Sequence, residues 1–323
     1  LVGGVNNYNA GSHNIIGGGQ NNTLINTDQS GLFSGTNNKI DNIANGATGS
    51  VILGGHNNLI CGSGFTVVVG GQRNVACCNS HTSVVGGCCN IASSEYSSIV
   101  GGRANFIQAG ASSGFIGGGN SNTACGQHSS VLGGFSNTTI GACSAILGGL
   151  GNISCGSFSS IVGGLCGVTT RYGQRSYSAG SYSAKGTSGI SSQQIDLVAR
   201  RSTLGTSVFT EMFLDGDTAT QRITLSNNTA LFVTVNIGGI TDSMQYGANY
   251  IRKVAIKNAA GTTSLIGTVS TIGTDVEDIA GWDVQITADN TNDSLKIEVK
   301  GAGEDIRWTA HIEGVEIAVP IAQ

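Results

Sequence analysis

The chain has 323 residues, enough for one large domain or two to three ordinary ones, each able to bury a core. A formal net charge of -4 with 11% charged residues, and no basic stripe interleaved with aromatics, excludes an electrostatic nucleic-acid surface. No apolar run reaches membrane-spanning length and residues 1–15 lack the segments of a signal peptide, so no membrane insertion is expected.

The two parts of the chain differ in kind. Of the 52 glycines, 36 lie before residue 171, as do all nine cysteines, beside only three basic residues (Lys39, Arg73, Arg103) and three acidic ones (Asp28, Asp41, Glu95). The later part carries 12 basic and 16 acidic residues and the only proline, Pro320. A boundary near residue 170 follows, with a glycine-rich domain over 1–170, a neck over 171–194 and a second domain over 195–323.

The first part is a repeat. Its glycine pairs begin at Gly54, Gly70, Gly86, Gly101, Gly117, Gly133, Gly148 and Gly163, in steps of 15 or 16. An Asn follows most of them four residues on, at Asn58, Asn74, Asn90, Asn105, Asn137 and Asn152, or five residues on where a third glycine is inserted, at Asn122. The unit reads Ser-x-Ile/Val-Ile/Val/Leu-Gly-Gly-x-x-Asn-x-Ile/Ala, and it continues more loosely toward the N-terminus.

Two branched residues followed by glycines suit a short strand entering a turn that needs positive φ. A second short strand follows the Asn, as in Val75-Ala76 or Ile91-Ala92. The pattern predicts an all-β fold opening with a parallel β-solenoid of 15–16-residue coils. Identical residues then stack about 4.8 Å apart, and stacked Asn side chains can satisfy one another along the axis. No apolar stripe at a 3.6-residue period and no charged face supports a helix. Regular apolar pairs also distinguish the segment from a Gly/Ser-rich flexible chain.

Neighbours on a strand face opposite ways, so Ile99 and Val100 cannot share one core. One branched residue per coil is expected to point outward, giving an apolar stripe larger than a soluble monomer leaves exposed. Parallel packing of copies around a cyclic axis covers such a stripe, and a homotrimer is the expected assembly.

Residues 171–192 carry the doublet Ser-Tyr-Ser-Ala-Gly, Ser-Tyr-Ser-Ala-Lys-Gly and read as a last irregular pair of coils or a linker. From Gln194 onward the pattern alternates. Residues 222–226 and 231–237 flank the turn letters Asn227-Asn228, and 249–257 and 264–269 flank Ala260-Gly261. Residues 283–287, 294–299 and 306–312 read as a meander. An antiparallel β-sandwich is predicted, with Trp282 and Trp308 as core aromatics, or alternatively as a sugar-stacking site.

The Ser-x-Ile-Val-Gly-Gly-x-x-Asn unit resembles the β-roll repeats of trimeric autotransporter adhesin heads, and more closely the glycine-rich repeats of phage tail-fibre proteins. The C-terminal runs IRWTAHIEGVEI, GTTSLIGTV and LKIEVKG resemble a β-domain that follows such repeats in phage fibres and bacterial surface proteins. The resemblance implies a trimeric attachment protein on a virion tail, with host cell-surface glycan or protein and other virion or fibre components as partners. A bacterial trimeric surface adhesin or an extracellular filament subunit is the related alternative, and a glycan-degrading tailspike is the rival of another class.

Chemistry-bearing residues are sparse, and no catalytic, cofactor-binding or metal residue is assigned. The doublets Cys77-Cys78 and Cys88-Cys89 are expected to point apart and so form no thiolate clamp for zinc. Cys61, Cys77, Cys125 and Cys155 share one place in the coil; a Cys61–Cys77 disulfide is geometrically conceivable, but reduced thiols are expected. Acidic groups at 275–278 and 289–293 do not match a calcium loop. Glycoside hydrolysis needs two carboxyl groups about 5 to 9.5 Å apart. Asp28, Asp41 and Glu95 lie on separate coils, which leaves Glu211 with Asp215 and Asp217 as the cluster to test. His13, His56, His81, His128 and His311 stand apart from any nucleophile. On this reading the chain is not an enzyme.

Overall fold

A computed structural model describes residues 3–41, 49–62, 64–77, 80–180 and 192–319. The chain forms two compact units, Leu1–Gly163 and Gly164–Gln323.

The first unit is a parallel β-solenoid of about 10 turns. Each coil gives one short strand to each of two parallel sheets. Val67–Val68, Ser83–Val84, Ser98–Ile99 and Phe115–Ile116 are successive strands of one, and Val75–Cys77, Ile91–Ala92 and Phe106–Ile107 of the other. The register repeats coil by coil, with Val84 opposite Val68 and Ile99, and Ile91 opposite Val75 and Phe106. A third column consists of single bridged residues, among them Gln72, Cys88, Arg103 and Asn120.

Alternation sorts the side chains. Ile52, Val68, Val84, Ile99, Ile116 and Val131 point inward and are fully buried. Facing them from the second sheet are Ile40, Ile60, Ala76, Ala92, Ile107 and Ala124, so small residues fill the lumen where a larger pair would not fit. Burying each large aliphatic side chain contributes roughly 1.5–3 kcal/mol. Where Thr139 and Ser154 replace the aliphatic, they are bonded inside, Thr139 Oγ1 to Ser129 Oγ at 2.9 Å and Ser154 Oγ to Ser159 Oγ at 2.7 Å.

The recurring Asn forms a continuous buried ladder, but its partners are mostly backbone groups. The Asn105 amide N–H donates to Asn90 Oδ1 at 3.0 Å, and Asn105 Oδ1 accepts from the Asn122 N–H at 3.0 Å. Asn105 Nδ2 donates to the Gly101 carbonyl of its own coil at 3.0 Å and to the Gly119 carbonyl of the next at 3.1 Å. Asn58, Asn74, Asn90, Asn122 and Asn137 repeat this set. Asn152 donates to Gly148 O at 2.9 Å and to Asn137 Oδ1 at 3.0 Å.

Positive φ falls one residue later than expected. It belongs to the second glycine of each pair, as at Gly55, Gly71, Gly87 and Gly102 (φ +94, +86, +85 and +86°), and not to Gly54, Gly70, Gly86, Gly101, Gly133 or Gly148. A Cβ on Gly102 would lie 2.2 Å from the Gly119 carbonyl oxygen, whereas one on Gly101 would meet nothing within 4 Å. Gly117 is likewise not left-handed; it needs the absence of a Cβ because Leu132 O would lie 2.5 Å away. Gly163, with φ +150°, is the one first glycine of the set in the positive range.

The second unit encloses its core between two antiparallel sheets. In the larger, Arg175–Ala179 pairs with Ser192–Thr203, which pairs with Ile306–Ala318, then Thr229–Thr241, then Gly247–Ala259, with Thr262–Leu265 beyond. In the smaller, Ser294–Lys300 lies between Asp283–Asp289 on one side and Thr210–Glu211 and Ile223–Thr224 on the other. The expected meander is therefore corrected. Ile306–Ala318 leaves its predecessor and enters the centre of the other sheet, because its alternating Ile306, Trp308, Ala310 and Ile312 are all buried there. Asn227-Asn228 similarly carries the chain from one sheet to the other, with Asn228 left-handed.

Part of the expected neck is thus a strand, Arg175–Ala179, paired with Ser192–Thr203; its second Ser-Tyr doublet lies outside the described residues. Trp308 and Trp282 are buried and meet edge-to-face at 5.4 Å. Their indoles donate to Thr203 Oγ1 and Glu304 Oε2, each at 3.0 Å, so neither ring is available for stacking a sugar.

Candidate functional site

The solenoid surface follows from its alternation. The residue after each inward aliphatic is exposed, so Leu53, Val69, Val85, Val100, Leu132 and Leu147 line up along one edge of the first sheet, Val100 at 45% and Leu132 at 53% exposure. Gly117 takes the same place between Val100 and Leu132 and breaks the row once. An exposed apolar column of this extent is more than scattered surface aliphatics give.

A second column carries aromatics on left-handed turns, a pattern the repeat consensus does not announce. Phe65, His81 and Tyr96 have φ of +57, +60 and +55° and stack at 5.3 and 5.0 Å with rings 20° from parallel. His128 and Phe158 have the same backbone conformation further along. Within the stack the His81 ring is covered on both faces, by Phe65 and by Tyr96, which are themselves exposed. The signal in the sequence is the aromatic or His immediately before the buried Ser or Thr, as at Tyr96 before Ser97 and Phe158 before Ser159.

The remaining solenoid candidates stay apart. Asp28 pairs with His13 at 2.9 Å, Asp41 with Lys39 at 2.8 Å, and Glu95 accepts from Ser80 at 3.2 Å. His56 sits in the bridge column, and in the second unit His311 contacts Asp196 at 3.2 Å.

Two cysteine expectations are corrected. Cys61 and Cys77 are disulfide-bonded, with Cα atoms 4.5 Å apart, because unshifted register brings the same position of adjacent coils face to face. Cys88 Sγ and Cys89 Sγ do not point apart but lie 2.9 Å from each other. Cys89 is a left-handed turn residue, φ +62°, so strand alternation does not apply to it. The Cys89 sulfur beside it, with burial, pushes the Cys88 thiol above its ordinary pKa. Cys78 lies outside the described residues.

In the second unit every acidic candidate is engaged. Glu211 accepts from Arg222 Nε at 3.0 Å. Asp217 accepts from the Ser202 N–H and hydroxyl, each at 2.8 Å, and these two bonds hold its pKa below the usual carboxylate range. Burial opposes ionisation of Asp215, but bonds from Thr220, Thr218 and the Gln221 amide outweigh it and hold its pKa at about 2. Both carboxyls are thereby held toward their ionised form. Of the calcium candidates, Asp275 pairs with Arg252 at 2.6 Å and Asp289 holds its own turn through Asn292.

Asp215 and Asp217 do line a cleft of about 330 Å³ with Arg200, Arg201, Ser202, Arg307 and Thr309. It lies where Ser192–Thr203 and Ile306–Ala318 run side by side beneath the Gly216–Thr218 turn.

No known family profile and no curated protein matches the chain. Among solved structures it is similar to tailspike protein gp49 of Acinetobacter baumannii bacteriophage Fri1, described as a capsular polysaccharide depolymerase, at 11% identity and a TM-score of 0.26, over 97% of this chain and 70% of that one. It is also similar to the tailspike protein of Acinetobacter baumannii phage AM24, at 8% identity and a TM-score of 0.25, over 93% of this chain and 73% of that one. Likeness at this level transfers no residue role. It does correct one expectation: with a depolymerase among these neighbours, the reading of this chain as not an enzyme is withdrawn.

Proposed function

We propose that the chain is a structural attachment protein of a phage tail, carried on the virion, in which copies pack in parallel as a homotrimer and present the assembly to a host cell-surface glycan or protein. The observation that carries this reading is the exposed apolar column from Leu53 to Leu147. A solenoid that needed no partner would place polar residues there. The repeat's resemblance to phage tail-fibre and trimeric adhesin repeats supplies the number three and the tail location.

Sedimentation velocity on the purified chain at micromolar concentration tests the assembly. The expected species has three times the chain mass, and Val100→Glu with Leu132→Glu abolishes it. A folded single chain would overturn the reading. Incubation with host capsular and lipopolysaccharide glycans and with host surface protein tests the role: retention of one of them is expected, and binding to none would overturn the attachment reading.

A further inference from the structure

The arginines of the second unit are not equivalent. Arg171, Arg175, Arg222, Arg252 and Arg307 each form an ion pair with a carboxylate. Arg200 and Arg201 form none among the described residues, and both line the same cleft. Arg201 lies 6.0 Å over the Phe213 ring, and its Nε is buried with no hydrogen-bond partner. Arg200 is exposed. Its main chain is held from both sides, paired with Thr309 in the sheet and exchanging two hydrogen bonds with Phe213, N to O at 2.8 Å and O to N at 3.2 Å.

The acids of the cleft are committed differently. Both Asp215 oxygens accept several bonds from Thr220 and Gln221. Each Asp217 oxygen accepts one bond, both from Ser202, so each keeps a lone pair for another donor. Arg307 Nη1 donates to Ser202 Oγ at 2.7 Å, and its other nitrogens go to Asp242. The cleft is therefore lined both by an unpaired guanidinium fork and by a carboxylate that can still accept hydrogen bonds. A bare anion would meet Arg200 but be repelled by Asp217, and a neutral polyol would leave Arg200 unpaired. A ligand carrying a carboxylate with hydroxyls a few ångströms away satisfies both.

We propose that this cleft binds a carboxylate-bearing sugar, a uronic acid, with Arg200 taking the carboxylate as a bidentate fork and Asp217 accepting from the ring hydroxyls. This deepens the attachment reading, on which it rests for the source of the ligand, by naming the class of glycan recognised.

The test is saturation-transfer NMR on the full chain with D-glucuronate, D-glucose and inorganic sulfate as probes. Glucuronate is expected to bind at least about tenfold more tightly than glucose, and Arg200→Gln to weaken it at least about tenfold, as loss of a charge-assisted pair requires. Lys253→Gln, which removes the same charge from an exposed strand position outside the cleft, is expected to leave binding unchanged. Equal binding of glucose and glucuronate, or equal affinities in the two variants, would overturn the proposal. Sulfate binding as tightly as glucuronate would also overturn it, because sulfate offers Asp217 no hydroxyl. None of these outcomes depends on the sedimentation result, so a failed cleft and a failed trimer are told apart.

Discussion

Arg171 donates through Nη2 to Glu316 Oε1 at 2.5 Å across 145 positions of sequence, and both side chains are buried. Glu316 uses its other oxygen to accept from Gln193 Nε2 at 2.7 Å, and Arg171 Nε donates to the Thr224 carbonyl at 2.6 Å. Gln193 completes the set by bonding both the N–H and the carbonyl of Val168. Segments around residues 168–171, 193, 224 and 316 are thereby tied to one carboxylate.

Breaking that pair from one side leaves a buried charge alone. Arg171→Met is expected to destabilise the second unit by about 3–5 kcal/mol, and Arg171→Met with Glu316→Leu by much less, because apolar replacements of similar volume remove the uncompensated charge. Urea unfolding followed by the fluorescence of Trp282 and Trp308 reads both. Equal loss in the single and double variants would show that the pair is not coupled.

The solenoid ladder is the second target. Asn105→Ala would strip the Gly101 carbonyl and the Asn122 N–H of their side-chain partner and leave the Gly119 carbonyl with the Arg103 N–H alone. Each orphaned group costs about 1–3 kcal/mol, so the change is expected to cost on the order of 3 kcal/mol in total. Thermal unfolding by far-UV circular dichroism measures it.

Adjacent glycines should answer oppositely to the same substitution. Gly101→Ala has open space and negative φ and is expected to leave the melting temperature within a few degrees of the parent. Gly102→Ala places a methyl 2.2 Å from a main-chain oxygen at φ +86° and is expected to prevent that coil from closing. Comparable melting of the two proteins would refute the assignment of the turn.

Acid should loosen the Asp215 turn in a defined window. Its folded pKa of about 2 lies below the ordinary carboxylate value. Its contribution is therefore complete above about pH 4 and is lost as pH falls through about 2, when the proton displaces the Thr220 and Gln221 bonds. Asp217, also held low, acts in the same direction. Asp215→Asn is expected to lower stability at neutral pH and to flatten the melting-temperature decline between pH 4 and 2.

The solenoid was legible because its repeat is redundant. A period of 15 or 16, a branched pair and a fixed Asn restate one coil many times, and alternation then separates Ile99 from Val100 without further information. What failed was local and conformational. Letters alone do not say which glycine of a pair turns left-handed, nor that Cys89 leaves the strand, since both depend on where the backbone bends. In the second unit, strand positions were readable from alternation, but partners were not. Ile306–Ala318 follows Ser294–Lys300 closely yet joins the other sheet, a choice made by tertiary burial of Trp308 and Ile312. The cleft around Arg200 was invisible because its residues come from three separate segments, and only pairing the other arginines reveals that Arg200 and Arg201 are unspent.

The unshifted register means that no coil carries an address. Ser130 and Ala145 occupy the same site, as do Val131 and Ile146. Deleting residues 130–144 would splice Ser129 to Ala145 and hand each severed bond an equivalent acceptor, whereas deleting one residue within a strand would turn that strand's inward aliphatic outward. Gene segments of one period can thus be gained or dropped as interchangeable tiles, which leaves the number of turns free to drift while the cross-section stays under selection.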